Sequence, residues 1–212
     1  MAIKKRPVSP RQKMINLMYV VLMAMLALNV STEVLDGFSI VEDSLNRTTA
    51  NSSAENNAIY SDFADQMKQN PTKVREWFEK AKQVKDMSDA LYNFAQELKV
   101  AIVQEADGKN GDVSNIKNKE NLEAAGIVML APGSGKGKKL YTELNRYRDR
   151  ILQLVTDEHQ KKIIASNFST QVPKGEKYLG KNWQEYMFEN MPVAAAVTML
   201  SKIQSDVRYA EG

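Results

Sequence analysis

The chain has 212 residues, 43% of them hydrophobic and 26% charged, enough for one domain with a substantial core behind an apolar N-terminal run. A net charge of +3, with no run of Lys and Arg interleaved with aromatics, excludes nucleic acid as an expected partner. With no cysteine and the single histidine His159, neither a thiolate site nor a histidine triad nor a multi-histidine metal centre can be assembled within one chain. No catalytic, cofactor or metal residues are therefore expected, and the chain does not read as an enzyme.

The first element is the run Met14 to Val30, which carries no charge, Gly or Pro. At about 1.5 Å per residue it reaches roughly 25 Å, slightly less than the ~30 Å hydrocarbon core, so snorkelling at Lys13 or the turn Ser31 to Leu35 would complete a crossing. A cleaved signal peptide is disfavoured. Processing after Ala27 or Ala24 would place Met25 or Leu22 at a position that requires a small residue. Lys4, Lys5, Arg6, Arg11 and Lys13 precede the run while Glu33, Asp36, Glu42 and Asp43 follow it, which orients the N-terminus to the cytoplasm and the remainder outside.

Ser9-Pro10-Arg11-Gln12 is a helix start, with Ser9 as cap, Pro10 at the first helical position and Gln12 three after the cap. At helical spacing Gln12, Asn16, Tyr19 and Met23 share one stripe; Arg11, Met18, Leu22, Met25 and Asn29 share the next. Polar residues inside a span point to contacts with other membrane helices, and Ala24 and Ala27 permit close approach. The plainer alternative makes Arg11 and Lys13 interfacial anchors and Tyr19 a belt residue.

Beyond Val30 the positions Val34, Phe38, Val41 and Leu45 keep helical spacing, so the membrane helix is expected to run on without a break. Asn46 to Asn57 has the composition of a loop, yet Ile59, Phe63 and Met67 resume the phase, which favours one long helix with a solvated middle. Asn70-Pro71 stops this helix and starts another, whose face runs through Val74, Phe78, Ala81, Val84, Leu91, Phe94, Leu98 and Ile102 to a stop at Asp107-Gly108. Asp107, Asn110 and Asp112 do not have the spacing of a calcium loop, and Ala131 to Gly137 lacks the pattern of a phosphate loop, leaving a flexible connector. A helix with Leu140, Leu144, Tyr147, Ile151 and Leu154 follows, breaks near Thr156-Asp157, and continues through Ile163, Ile164 and Phe168. His159, among Glu158, Gln160 and Lys161, is placed at the surface. After a loop at 172–181 come Trp183, Tyr186, Met187 and Phe188, then a last helix carrying Val193, Val197, Leu200, Ile203 and Val207. The expected fold is all-α: a short basic N-terminus (1–9), one transmembrane helix (10–35) and a helical bundle (36–212).

The segments Pro10 to Tyr19, Met25 to Ser31, Phe188-Glu189-Asn190-Met191-Pro192 and Gln204 to Ala210 together resemble the GldM (PorM) family, inner-membrane motor subunits of gliding motility and the type IX secretion system in Bacteroidetes. The resemblance implies an N-terminal fragment, since the family chain continues into β-rich periplasmic domains. It further implies a single-pass inner-membrane protein with its C-terminal part in the periplasm. Its expected partners are a second copy of itself, the lipid bilayer, a ring of GldL-type (PorL) transmembrane helices and downstream periplasmic secretion components. Within that ring the proton motive force would move the periplasmic part. Arg11 matches the family arginine that faces a membrane glutamate of GldL, Tyr19 matches its intramembrane tyrosine, and Gln12, Asn16 and Asn29 complete the expected contact set. A passive membrane-anchored scaffold or a helical sensor domain is the competing expectation.

Overall fold

The computed structural model describes the backbone of residues 9–28 and 30–212, and side-chain surroundings for these residues except 24–28. Its α-helices are α1 (Pro10–Leu28), α2 (Thr32–Gln69), α3 (Pro71–Asp107), α4 (Ala124–Leu130), α5 (Gly137–Leu154), α6 (Glu158–Asn167), α7 (Trp183–Phe188) and α8 (Val193–Glu211). Among the described residues there is no strand, as the all-α expectation requires.

Local chemistry sets most of the boundaries. Helix α2 runs unbroken through its Asn/Ser-rich middle to Gln69, because the apolar phase on either side outweighs the weak helix propensity of those residues. Pro71, which needs no amide partner at a first helical position, opens α3. Asn70 holds the cap position without a side-chain cap bond. Gly108 ends α3 with φ +87°, a conformation that a Cβ would penalise. Asp157 caps α6 through the Gln160 N–H, and Asn182 and Glu185 form a reciprocal capping box on α7.

Two expectations need correction. The chain does not continue helically from the apolar run into α2: Ser31 is extended (φ −66°, ψ 147°) and its hydroxyl accepts from the Val34 N–H. That cap satisfies an amide a continuing helix would have bonded internally, so the shared phase of Val34, Phe38 and Val41 belongs to a new helix. The second concerns Ala131 to Gly137, which is a tight hydrogen-bonded turn rather than a flexible connector. The Gly135 N–H reaches Ala131 O, the Lys136 N–H reaches Val128 O, and a Cβ on Gly135 or Gly137 would lie 2.7 Å from the Met129 carbonyl oxygen. The glycines there allow two backbones to touch.

Among the described residues no helix is long and apolar enough to cross a membrane. The apolar run continues through 24–29, which lie outside the residues whose side chains are described.

Helices α2 and α3, each about 55 Å long at 1.5 Å per residue, form a hairpin whose open end holds α8. Leu98, Ile102 and Val103 of α3, Met129 of α4, Leu140 and Ile151 of α5, Phe188, and Val193, Val197, Leu200 and Val207 of α8 make one continuous core. Entry into α8 is fixed by neighbouring backbone: the Val193 N–H bonds Asn121 O and the Ala194 N–H bonds Lys119 O. At the hairpin tip Trp77 remains 58% exposed. His159 is exposed, as its charged context indicates.

Candidate functional site

Two places concentrate polar side chains where an apolar environment is the rule: the surface of α1 and the seam where α2 lies on α8. On α1, Ser9 caps the helix as expected, its hydroxyl accepting from the Gln12 N–H. The Gln12 side chain does not complete a capping box; its Nε2 donates to Asn16 Oδ1 at 3.1 Å one turn on. Tyr19 continues that stripe and is 66% exposed, with Leu17, Met18, Val20 and Met23 similarly bare. Arg11 is exposed and, among the described residues, has no ion-pair partner. The structure thus joins Gln12 to Asn16 and leaves Arg11 and Tyr19 facing outward; Asn29 lies outside the described residues.

The seam is not among the sites expected from the sequence. Helix α2 buries only Leu35, Thr49 and Asn56, and two of these are polar. Its attachment to the bundle therefore relies on hydrogen bonds more than on a continuous apolar face. Near its start Lys99 of α3, 3% exposed, donates to Glu42 Oε1 at 2.9 Å, to Ser201 Oγ and to Gln204 Oε1 at 3.3 Å. Ser201 also donates to Glu42 Oε1 at 2.6 Å, and Gln204 Nε2 returns to Tyr92 O and Gln96 Oε1. One carboxylate oxygen of α2 is thereby shared by α3 and α8. A buried ammonium is tolerated only with such a complete partner set.

About four turns further along α2, Asn56 Nδ2 donates to the Arg208 carbonyl oxygen at 2.9 Å. Arg208 itself bridges Asp89 of α3 and Glu211, at 2.8 and 2.6 Å, with its guanidinium 4.4 Å from the Tyr92 ring centre. Partial burial alone would push Asp89 up, but hydrogen bonds from Lys85 and Arg208 hold its carboxyl below the usual range. On the inner side of α3, the buried Tyr147 hydroxyl pairs with Ser88 Oγ at 2.8 Å and reaches Val207 O. Desolvation raises its phenol pKa well above the ordinary value. The seam is a pair of polar latches, one at the middle of α8 and one near its C-terminal end, holding the hairpin against it.

Residues 33–212 match the family model described as the GldM N-terminal domain. The chain belongs to the GldM family. The family works in gliding motility and type IX secretion and associates with the components of that machinery, which is membrane-associated. The match starts at the second residue of α2, so in GldM terms the seam lies inside the matched domain and the polar stripe of α1 precedes it. No curated protein matches the chain.

Lys99, Ser201 and Gln204 could have been found by one signal. Each falls in phase with buried apolar neighbours on its helix, Lys99 with Ala95 and Ile102, Ser201 and Gln204 with Val197, Leu200 and Val207. Polar residues on a buried face need partners, and their presence on facing helices marks a network.

Proposed function

We propose that this GldM-type chain is the moving subunit of a proton-driven membrane motor. Two copies pass their α1 helices through a ring of GldL-type transmembrane helices in the inner membrane, N-termini cytoplasmic, and transmit motion to downstream periplasmic secretion components. It performs mechanical work and no catalysis of its own. The observation that carries this reading is the polar stripe of α1: Gln12 bonded to Asn16, with Tyr19 in line and Arg11 alongside, on a helix otherwise covered by bare Leu, Met and Val. A lipid-facing tether has no use for these groups, whereas a ring of protein helices supplies partners for them.

Arg11 cannot itself carry the proton, because a guanidinium stays protonated in proteins. The carrier is a carboxylate of the ring, held by Arg11 when ionised and released when neutral. Each charge crossing the membrane is worth about 2.3 kcal/mol per 100 mV, and an unpaired Arg in the apolar core costs at least about 2.5 to 3.5 kcal/mol. The two magnitudes are close enough for one to drive the other. Motion of α1 enters the domain through the capped joint at Ser31 and then α2, which the polar latches couple to α3 and α8.

Replacing Arg11 by Ala, with assembly verified by co-purification of the ring protein, is expected to abolish secretion and gliding. Wild-type activity in that variant would overturn the motor reading. A passive scaffold would also tolerate Leu at Asn16 and Tyr19, which the motor reading does not.

A further inference from the structure

Outside the seam, α3 and α5 leave a groove of about 770 Å³ that opens to solvent. Its floor is apolar: Leu91 and Tyr147 are buried, and Met87 and Phe94 are half-buried beside them. Both walls are uninterrupted helix, Met87 to Glu97 on one side and Lys139 to Arg150 on the other, so the groove is about 15 Å long at 1.5 Å per residue. That is the length of a three-turn helix.

The walls differ in charge. Along α5 stand Lys139, Arg146 and Arg150; Glu143 is spent on Arg146, both of its oxygens lying 3.0 Å from the guanidinium. Among the described residues Lys139 and Arg150 have no carboxylate partner. Lys139 lies over the Phe94 ring at 4.6 Å, and Arg150 donates only to the amide oxygens of Gln83 and Gln153. The α3 wall carries Glu97 instead.

We propose that this groove docks an amphipathic helix of a partner protein, its apolar face inward and an acidic flank toward α5. The apolar floor supplies the contact area, as in other helix-in-groove complexes, and the two uncompensated cations select the charge and direction of the guest. Glu97 disfavours acid on the opposite flank, so the guest is acidic on one side only. The inference uses no residue of α1 and neither latch, sharing with the seam's surroundings only the Tyr147 ring, and stands apart from the motor reading.

The test is fluorescence anisotropy of the full chain with a stapled helical peptide of about three turns, bearing Leu at i, i+3 and i+7 and Glu along one flank. A second peptide carries Lys in place of Glu. Saturable binding of the Glu peptide is expected, with the Lys peptide at least about tenfold weaker and the preference reversed by K139E combined with R150E. Ala90, exposed on the α3 wall, is replaced by Arg to fill the groove without touching the core; binding should be lost with an unchanged circular dichroism melt. Absence of binding to the Glu peptide, equal binding of the two peptides, or unchanged binding to A90R would overturn the proposal. So would displacement of the peptide by phosphatidylglycerol vesicles, which would make the groove a lipid site.

Discussion

Removal of the Lys99 ammonium tests whether α2 is held by its polar latch. Lys99→Met keeps the length and apolar stem of the side chain and deletes three hydrogen bonds, to Glu42, Ser201 and Gln204. Glu42, only 14% exposed, then keeps Ser201 as a donor to Oε1, while its Oε2 has no protein partner among the described residues. Breaking a buried pair by deleting one member costs about 3 to 5 kcal/mol, and the partial exposure of Glu42 puts this case near the lower end, about 3 kcal/mol. For a domain of this size that corresponds to a fall in Tm of about 6 to 12 °C, read by far-UV circular dichroism at neutral pH. Glu42→Gln in the Lys99→Met background removes the stranded charge, and the double variant should recover at least about 1 kcal/mol relative to the sum of the singles. A loss below about 1 kcal/mol for Lys99→Met, or strict additivity in the cycle, would refute a coupled latch and with it the rigid joining of α2 to α8.

Asp206, largely buried, has its carboxyl pKa raised by desolvation, which the Lys202 ion pair only partly offsets. Because the folded pKa lies above the unfolded one, its contribution is most favourable below the ordinary carboxylate range and is lost as pH rises through the folded value. Asp206→Asn should therefore raise Tm at neutral pH, with the gain shrinking as the pH of the melt is lowered through the carboxylate range; a gain that grows on acidification would contradict this assignment. Gly137→Ala forces a Cβ to 2.7 Å from Met129 O and 2.8 Å from Gln184 Cβ, and should cost about 1 to 3 kcal/mol in urea unfolding even though Ala is the better helix former. A stabilised G137A protein would show that the α4–α5 turn yields freely.

Much of the domain was legible because its signals are local. Pro71 after Asn70, Gly108 after Asp107, and Asp157 before Glu158 mark helix ends through backbone chemistry that needs no tertiary context. The apolar faces of α3, α5 and α8 were legible for the same reason: a 3.6-residue period puts Leu91, Leu98 and Ile102, or Val197, Leu200 and Val207, on one side regardless of what they meet. The break at Ser31 is hidden from periodicity, which carries across a cap when two helices share a phase, although Ser31 itself is the local signal for it. The polar stripe of α1 follows from spacing alone, and the structure adds the Gln12–Asn16 hydrogen bond.

The sequence by itself determined the helical class, the helix ends at Pro10, Asn70-Pro71, Asp107-Gly108 and Asp157, the apolar faces of α3, α5 and α8, and which residues of the N-terminal run are out of place in an apolar setting. These follow from single-helix geometry. The face expected for α2 is not the buried one, since Val34 and Val41 stay about half exposed while Leu35, Thr49 and Asn56 are covered. Only the tertiary structure decided that Lys99, Glu42, Ser201 and Gln204, spread over 163 positions of chain, meet at one point, and that α3 and α5 stand far enough apart to leave an open groove. Contacts between helices depend on how three or more of them pack together, and no periodicity along one helix encodes the residue that a distant helix will bring to it.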